Sequence, residues 1–305
     1  MKLQGILASA ATPFDHTGAI YRAKIQHNFE KWCRTSISGF VVGGLAGEGP
    51  LLDAEEKLEV LRLAAPHVVP RPVKGAQESG PARILILDVS TEGVHSAAKL
   101  ARGAAEAGAN AVVSLVPHQY RNLMYGPEAQ MLFFRALADQ SPVPVLIHNA
   151  PQITGVDLLP DSIGKLAAHP NIAGLIESGT PAARIQQIRE VVPKTFPILA
   201  GTESQLWDSL KSGANGAVLG FASVAPYAAI AIWEAFRTRE EEAGIDWQGR
   251  IAHPSILVTD LYGVAGLKHA MDLNGYYGGP PRLPFVPVSP DARREIEDAF
   301  RDLKG

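Results

Sequence analysis

Eight short runs of apolar, largely β-branched residues recur along the chain with helical patterns between them, and this alternation restricts the fold more than any other feature. The runs are GILASAA (5–11), GFVVGG (39–44), RILILD (83–88), NAVVSLV (110–116), VPVLIH (143–148), IAGLI (172–176), PILAG (197–201) and GAVLGF (216–221). Strands separated by helices lie parallel, each helix crossing back over the sheet. Eight such units closing on themselves predict an α/β fold of the (β/α)8, or TIM-barrel, class.

Local signals agree with that count. EAGANAVVSLVP (106–117) and KSGANGAVLGFA (211–222) share one construction: a helix end, a glycine cap, an asparagine, then a buried strand. Asp53 and Glu56 have the spacing of a capping box that opens the second helix. Pro127, Pro160 and Pro181 stand where first helical turns begin. After residue 226 the pattern is helical with no further strand. PYAAIAIWEAFRTREEEAG (226–244) reads as one helix with a solvated, charged end, followed by two more helical stretches that finish near Leu303. The expected organisation is a barrel core over 1–225, with 226–305 supplying the last barrel helix and a C-terminal helical appendix of the same unit. The Pro- and Gly-rich link at 66–82 falls between a helix and a strand, on the face opposite the strand ends, and reads as a surface loop.

At 305 residues and 46% hydrophobic, the chain is long enough to bury about three quarters of the surface its unfolded form exposes. A net charge of −3 gives no electrostatic case for nucleic acid or an anionic membrane. A single cysteine, Cys33, excludes an intrachain disulfide and fits a reducing, cytoplasmic compartment. GILASAA near the N-terminus is too short and too interrupted for a signal peptide and reads as the first strand. No run of about 18 apolar residues is present.

Four segments carry a family resemblance that spans residues 3–303: TPF (12–14), GGLAGEGP (43–50), IHNAPQITG (147–155) and GLKHAMDLNGYYGGPPRLPFVPVS (266–289). Together with NIAGLIESG (171–179) they resemble the dihydrodipicolinate synthase and N-acetylneuraminate lyase family of aldolases. The resemblance implies a barrel in which a strand lysine forms an imine with a 2-oxo acid such as pyruvate, and the imine serves as an electron sink. It also implies a proton-relaying tyrosine and a turn whose two hydroxyl residues hold the substrate carboxylate.

This chain departs from the pattern at each of those positions. Ile176 occupies the lysine slot, Leu45 and Ala46 replace the hydroxyl pair, and His148 stands for the tyrosine. Ile153 takes the place of the arginine that the synthases use for a second substrate. Gly44, Gly47 and Glu48 keep the frame of the turn. Among the eleven lysines, none falls at the C-terminal end of a predicted strand, and Lys268 matches a family lysine with a structural role. His148 keeps the ability to move protons near neutral pH, or else fills a tyrosine-sized hole as a hydrogen-bonded histidine. Asn149 follows it, Glu203 matches a position that contacts substrate hydroxyls in the sialic acid lyases, and His118 and Asp88 end neighbouring strands. No H-x-H or H-x-x-x-H spacing supports a metal, so neither a metal nor an organic cofactor is expected.

The expected function is an atypical or catalytically inactive member of the family, with lyase ancestry and without imine chemistry. The alternative is a repurposed lyase that uses His148 as acid and base, with Glu203 or Glu48 assisting or a divalent metal ion standing in for the imine as electron sink, on a small molecule lacking a carboxylate at the Leu45–Ala46 end. The resemblance implies a small-molecule ligand related to 2-oxo acids or sugar acids, and assembly as a homo-oligomer, a dimer or a tetramer.

Overall fold

The structure is a computed structural model that describes residues 1–68, 83–179 and 182–303. Eight parallel strands close into a barrel in chain order: β1 (Gly5–Ser9), β2 (Gly39–Val42), β3 (Ile84–Asp88), β4 (Ala111–Leu115), β5 (Val145–Asn149), β6 (Ile172–Glu177), β7 (Ile198–Ala200) and β8 (Gly216–Leu219). All eight lie within or against the runs expected from sequence. Eight outer helices follow them: α1 (Arg22–Trp32), α2 (Ala54–Val68), α3 (Val94–Glu106), α4 (Pro127–Gln140), α5 (Pro160–Ala167), α6 (Ala183–Val191), α7 (Leu206–Lys211) and α8 (Pro226–Thr238). The strands are buried on both faces because helices cover the outside and side chains fill the inside.

The inside is a closed apolar plug. Leu7, Val41, Ile86, Val113, Leu146, Ile176, Leu199 and Val218, one from each strand, pack into a single cluster with Leu3, Ile84 and Ala111. Period-two alternation sends these residues inward, while their neighbours, such as Leu85, Leu87, Ile147 and Leu175, join the shell beneath the helices.

The repeated Gly-Ala-Asn segments have a defined mechanical role. Gly108 and Gly213 end α3 and α7 at φ +95 and +105, a left-handed conformation suited to glycine. Each following asparagine then clasps the preceding strand twice. Asn110 N–H donates to the Leu85 carbonyl at 2.8 Å, and its Oδ1 accepts from Leu85 N–H at 2.8 Å. Asn215 makes the same pair with Ile198, at 2.7 Å and 3.0 Å.

The capping box on α2 is formed reciprocally: Glu56 N–H donates to Asp53 Oδ1 at 2.8 Å and Asp53 N–H to Glu56 Oε2 at 3.0 Å. Pro127 and Pro160 open their helices. Pro181, expected in the same role, lies outside the described residues, as does 69–82 of the link read as a surface loop. The start of that link belongs to α2, which continues through Pro66 to Val68.

The C-terminal part differs from expectation. Residues 226–244 are not one helix. Arg239 adopts a left-handed conformation (φ 64), α8 ends there, and α9 (Glu241–Ile256) starts two residues later. A π-helical turn, Leu257–Leu261, leads into α10 (Gly263–Leu273), and α11 (Pro290–Ala299) completes the appendix. The charged run RTREEEAG therefore marks a corner between two helices.

The appendix is locked to the turn after β2. Lys268 Nζ on α10 lies 2.5 Å from Glu48 Oε1, with both side chains almost wholly buried. Arg282 N–H donates to Glu48 Oε2 at 2.7 Å, and the Arg282 guanidinium holds both oxygens of Glu56 and the carbonyls of Gly18 and Leu51. Burial lowers the Lys268 pKa, and the adjacent Glu48 carboxylate opposes that shift. Removing one partner of such a pair leaves an uncompensated buried charge. Lys268→Ala is expected to lower the unfolding free energy by about 3–5 kcal/mol in urea titrations, and the double change Glu48→Gln with Lys268→Met by distinctly less.

Candidate active site at the carboxyl end of the barrel

One strand position beyond the apolar plug, the interior turns polar. Ser9, Asp88, His148 and Ser178 are the next inward positions on β1, β3, β5 and just past β6, by the same alternation that sends Leu7, Ile86, Leu146 and Ile176 inward. His148 is the register partner of Ile176 across β5 and β6. The two side chains are therefore neighbours on the interior face, and Ile176 is 1% exposed. An alkyl group at this spot supplies packing and no nucleophile.

His148 Nε2 lies 2.9 Å from Ser178 Oγ. Burial drives the imidazole pKa down from 6.5 to about 4, against a smaller opposing pull from the Asp88 carboxylate. The ring is accordingly neutral near pH 7, with one nitrogen free to accept a proton. Ser178 was not among the residues singled out from sequence. It is a common residue type, and only the fold shows its hydroxyl meeting a ring carried by a different strand. Gly201, the corresponding position on the β7 side, makes room for it: a Cβ there would fall 2.0 Å from Ser178 Oγ.

The turn after β2 forms a second wall. Gly47 N–H and Gly49 N–H both donate to the Gly44 carbonyl, and Glu48 N–H donates to Leu45. A Cβ at Gly49 would overlap the Gly43 carbonyl oxygen at 1.9 Å, and one at Gly47 would crowd the Ala10 carbonyl at 2.8 Å, so glycine is required at both places. Gly44 lies against Ser9 Oγ and Asp88 Oδ2, and Ala46 approaches Gly220 beside Glu203. Among the described residues, the main-chain N–H groups of Leu45 and Ala46 donate to no protein acceptor.

Glu203 sits in the single turn after β7 and is buried. Burial raises its pKa, although Phe221 N–H, donating to Oε1 at 3.2 Å, favours the ionised form. Its environment and that of His148 thus push the two groups toward their neutral forms.

Two other residues expected at the site are engaged elsewhere. Glu48 faces Lys268 and Arg282 and fixes the appendix. Asn149 points to the outer side of β5, where its amide donates to Asp157 at 3.0 Å and to both Glu177 oxygens at 3.0–3.1 Å, while its Oδ1 accepts from Leu158 N–H. Glu177 also accepts from Gly179 N–H at 2.7 Å and lies 3.6 Å from Arg184. Burial raises its pKa, against the Asn149 bond and the Arg184 charge. These contacts belong to the barrel wall. Ile153 is exposed at the rim.

A side cavity of about 320 Å3 opens between the ends of β2, β3 and β4, lined by Gly44, Leu45, Lys57, Asp88 and His118 among others. Lys57 reaches it from α2, 6% exposed, with Nζ 3.4 Å from the Asp88 carbonyl. Strand ends alone do not reveal this amine, because it arrives from a helix. Its stem runs beside Gly43 and Leu87, and Leu87 belongs to the shell beneath the helices. His118 sits 3.5 Å from Glu92. Among the described residues, no three His, Cys, Asp or Glu side chains converge as metal ligands, and no helix is long and apolar enough to cross a membrane.

The same architecture recurs among known proteins. A crystal structure of a dihydrodipicolinate synthase from Bacillus anthracis superposes with a TM-score of 0.90 over 99% of this chain and 98% of its own, at 22% identity. A dihydrodipicolinate synthase from Cyanidioschyzon merolae with lysine bound gives 0.89 over 98% and 97%, at 21% identity. In sequence, a 4-hydroxy-tetrahydrodipicolinate synthase of Exiguobacterium sp. is 30% identical over 98% of this chain and 97% of its own length. The profile of the dihydrodipicolinate synthetase family matches residues 2–303, and on this agreement the chain belongs to that family.

Proposed function

We propose that this protein is a family member of lyase ancestry that acts without a lysine imine. The observation that carries this reading is Ile176, sealed in the apolar plug beside His148. An imine needs a deprotonated amine at the ketone carbon and a positively charged nitrogen to take up the electron pair. A hydrocarbon chain supplies neither. Leu45 and Ala46 point the same way, because a carboxylate placed there would meet alkyl groups and only main-chain donors.

A second reading is favoured by one contact, the bond between His148 and Ser178. The contact satisfies a ring nitrogen of His148, and it also sets a neutral imidazole against a hydroxyl, the pairing that proton transfer uses. In this reading His148 carries protons and Glu203, whose burial favours its protonated form, assists as a hydrogen-bonding group, the two roles being set by environment. The ligand is a small molecule without a carboxylate at the Leu45–Ala46 end. The expected assembly is a homo-oligomer.

Incubation with pyruvate and borohydride followed by intact mass measurement is expected to give no adduct; a stoichiometric adduct would overturn the first reading. Ile176→Lys is expected not to restore imine formation, since the carboxylate turn lacks its hydroxyls. It is expected to cost several kcal/mol of stability, because an ammonium then enters an apolar cluster without a partner.

The histidine also makes a pH prediction. The unfolded chain takes up a proton at this residue as the pH falls past 6.5, whereas the folded chain resists until about pH 4. Its contribution is therefore intact above pH 6.5 and is lost as the pH falls toward 4, by about 2–3 kcal/mol. Glu177 and Glu203, with raised pKa values, act in the opposite sense. The effect is therefore read as the stability difference between the native protein and His148→Gln, measured by urea titration from pH 7 to 4.

A further inference from the structure

We propose that Ser178, paired with His148, is a nucleophile for neutral carboxylic esters or lactones, so that the barrel mouth supports acyl transfer where its relatives form an imine. This deepens the second reading above and rests on it.

The first argument is the isolation of the hydroxyl. Of the six buried serines among the described residues, four give their hydroxyl to a main-chain carbonyl, Ser114 to Leu115, Ser141 to Val143, Ser223 to Ser9 and Ser255 to Ala252, and Ser162 and Ser209 do not. Ser178, half-buried, is the serine whose hydroxyl meets an imidazole. Ser178 Oγ makes no such bond among the described residues, and its protein partner is His148 Nε2. The main chain of Ser178 is meanwhile fixed on both sides. Its N–H donates to the Asn149 carbonyl at 2.9 Å, and its carbonyl accepts from Gln152 Nε2 at 2.7 Å and Thr202 Oγ1 at 3.3 Å. The main chain is thus fixed while the hydroxyl meets His148, and a hydroxyl within hydrogen-bond reach of a base is the arrangement an activated nucleophile requires.

The second argument is the state of the base. With the proton on Nδ1, the neutral imidazole accepts from the serine at Nε2. Asp88 faces the same interior, and its charge favours the imidazolium that forms during attack. The third is the wall opposite. Among the described residues the N–H groups of Leu45 and Ala46 donate to no protein acceptor, so an uncharged acyl group that reached this turn would find alkyl side chains and main-chain donors for a carbonyl oxygen that becomes negative in the transition state.

The step balances with water as the only co-reactant. Ser178 Oγ bonds to the carbonyl carbon and its proton passes to His148. The ester C–O bond breaks, and the leaving alcohol takes that proton. Water, deprotonated by His148, then attacks the acyl-serine, releasing the acid and returning the proton to Ser178.

The native protein is treated with a fluorophosphonate, and the adduct is located by peptide mass; release of p-nitrophenol from p-nitrophenyl acetate is followed in parallel. One adduct is expected per chain, on the peptide carrying Ser178, with none in Ser178→Ala and labelling slowed about 100-fold or more in His148→Gln. Because the imidazole titrates near pH 4, the labelling rate is expected to hold between pH 7 and 5.5. A histidine with the ordinary pKa of 6.5 would lose about 90% of it over that range. Peptide mapping of the native protein needs no variant, so a poorly folded Ser178→Ala leaves the test intact. No adduct at Ser178, labelling elsewhere, or a rate indifferent to His148 would overturn the proposal. None of these results bears on the borohydride experiment, so the loss of imine chemistry stands or falls separately.

Discussion

A closed ring of eight parallel strands stands only if its inside is filled, and that requirement organises everything above it. One branched or aliphatic residue from each strand supplies the filling, which excludes water and creates the dry floor on which the mouth rests. Ile176 belongs to that floor. The same dryness removes the charge from His148 and leaves the ring paired with a hydroxyl. An amine at position 176 would stand in the ring as a reactive group; an isoleucine turns the position into packing, and the polar side chains of Ser9, Asp88 and Ser178 follow one strand position further out.

The turn after β2 links this floor to the rest of the chain. Its glycines are demanded by close main-chain approach, and its acidic residue is held by the C-terminal appendix through Lys268 and Arg282. The appendix therefore fixes the wall of the mouth from behind. Changes in α10 would be felt at Leu45 and Ala46 although no appendix residue needs to touch a ligand there.

Much of this was legible in the sequence, for reasons that are physical and local. Buried parallel strands are short apolar runs, the capping box is a fixed spacing, and a left-handed helix end calls for glycine, so β1 to β8, Asp53 with Glu56, and Gly108 with Gly213 could be read directly. Ile176, Leu45, Ala46 and His148 stood out as departures from a family pattern within recognisable segments, and the fold places Ile176 in the plug beside His148. Contacts between distant segments were not. Ser178 meets His148 across two strands, Lys57 arrives at the strand ends from a helix, and Glu48 and Asn149 look available in one dimension yet are enclosed by Lys268, Arg282, Asp157 and Glu177. The break at Arg239 was also hidden, because a non-glycine residue in a left-handed conformation gives no signal in the pattern.

The twin asparagines have a geometric consequence. Asn110 ties β3 to the start of β4, and Asn215 ties β7 to the start of β8. Four strands separate the two ties, so they sit diametrically across the ring. Sliding of one four-stranded half past the other would have to break a matched pair of rivets at opposite points, and the circle is in this sense fastened like a bracelet with two identical clasps.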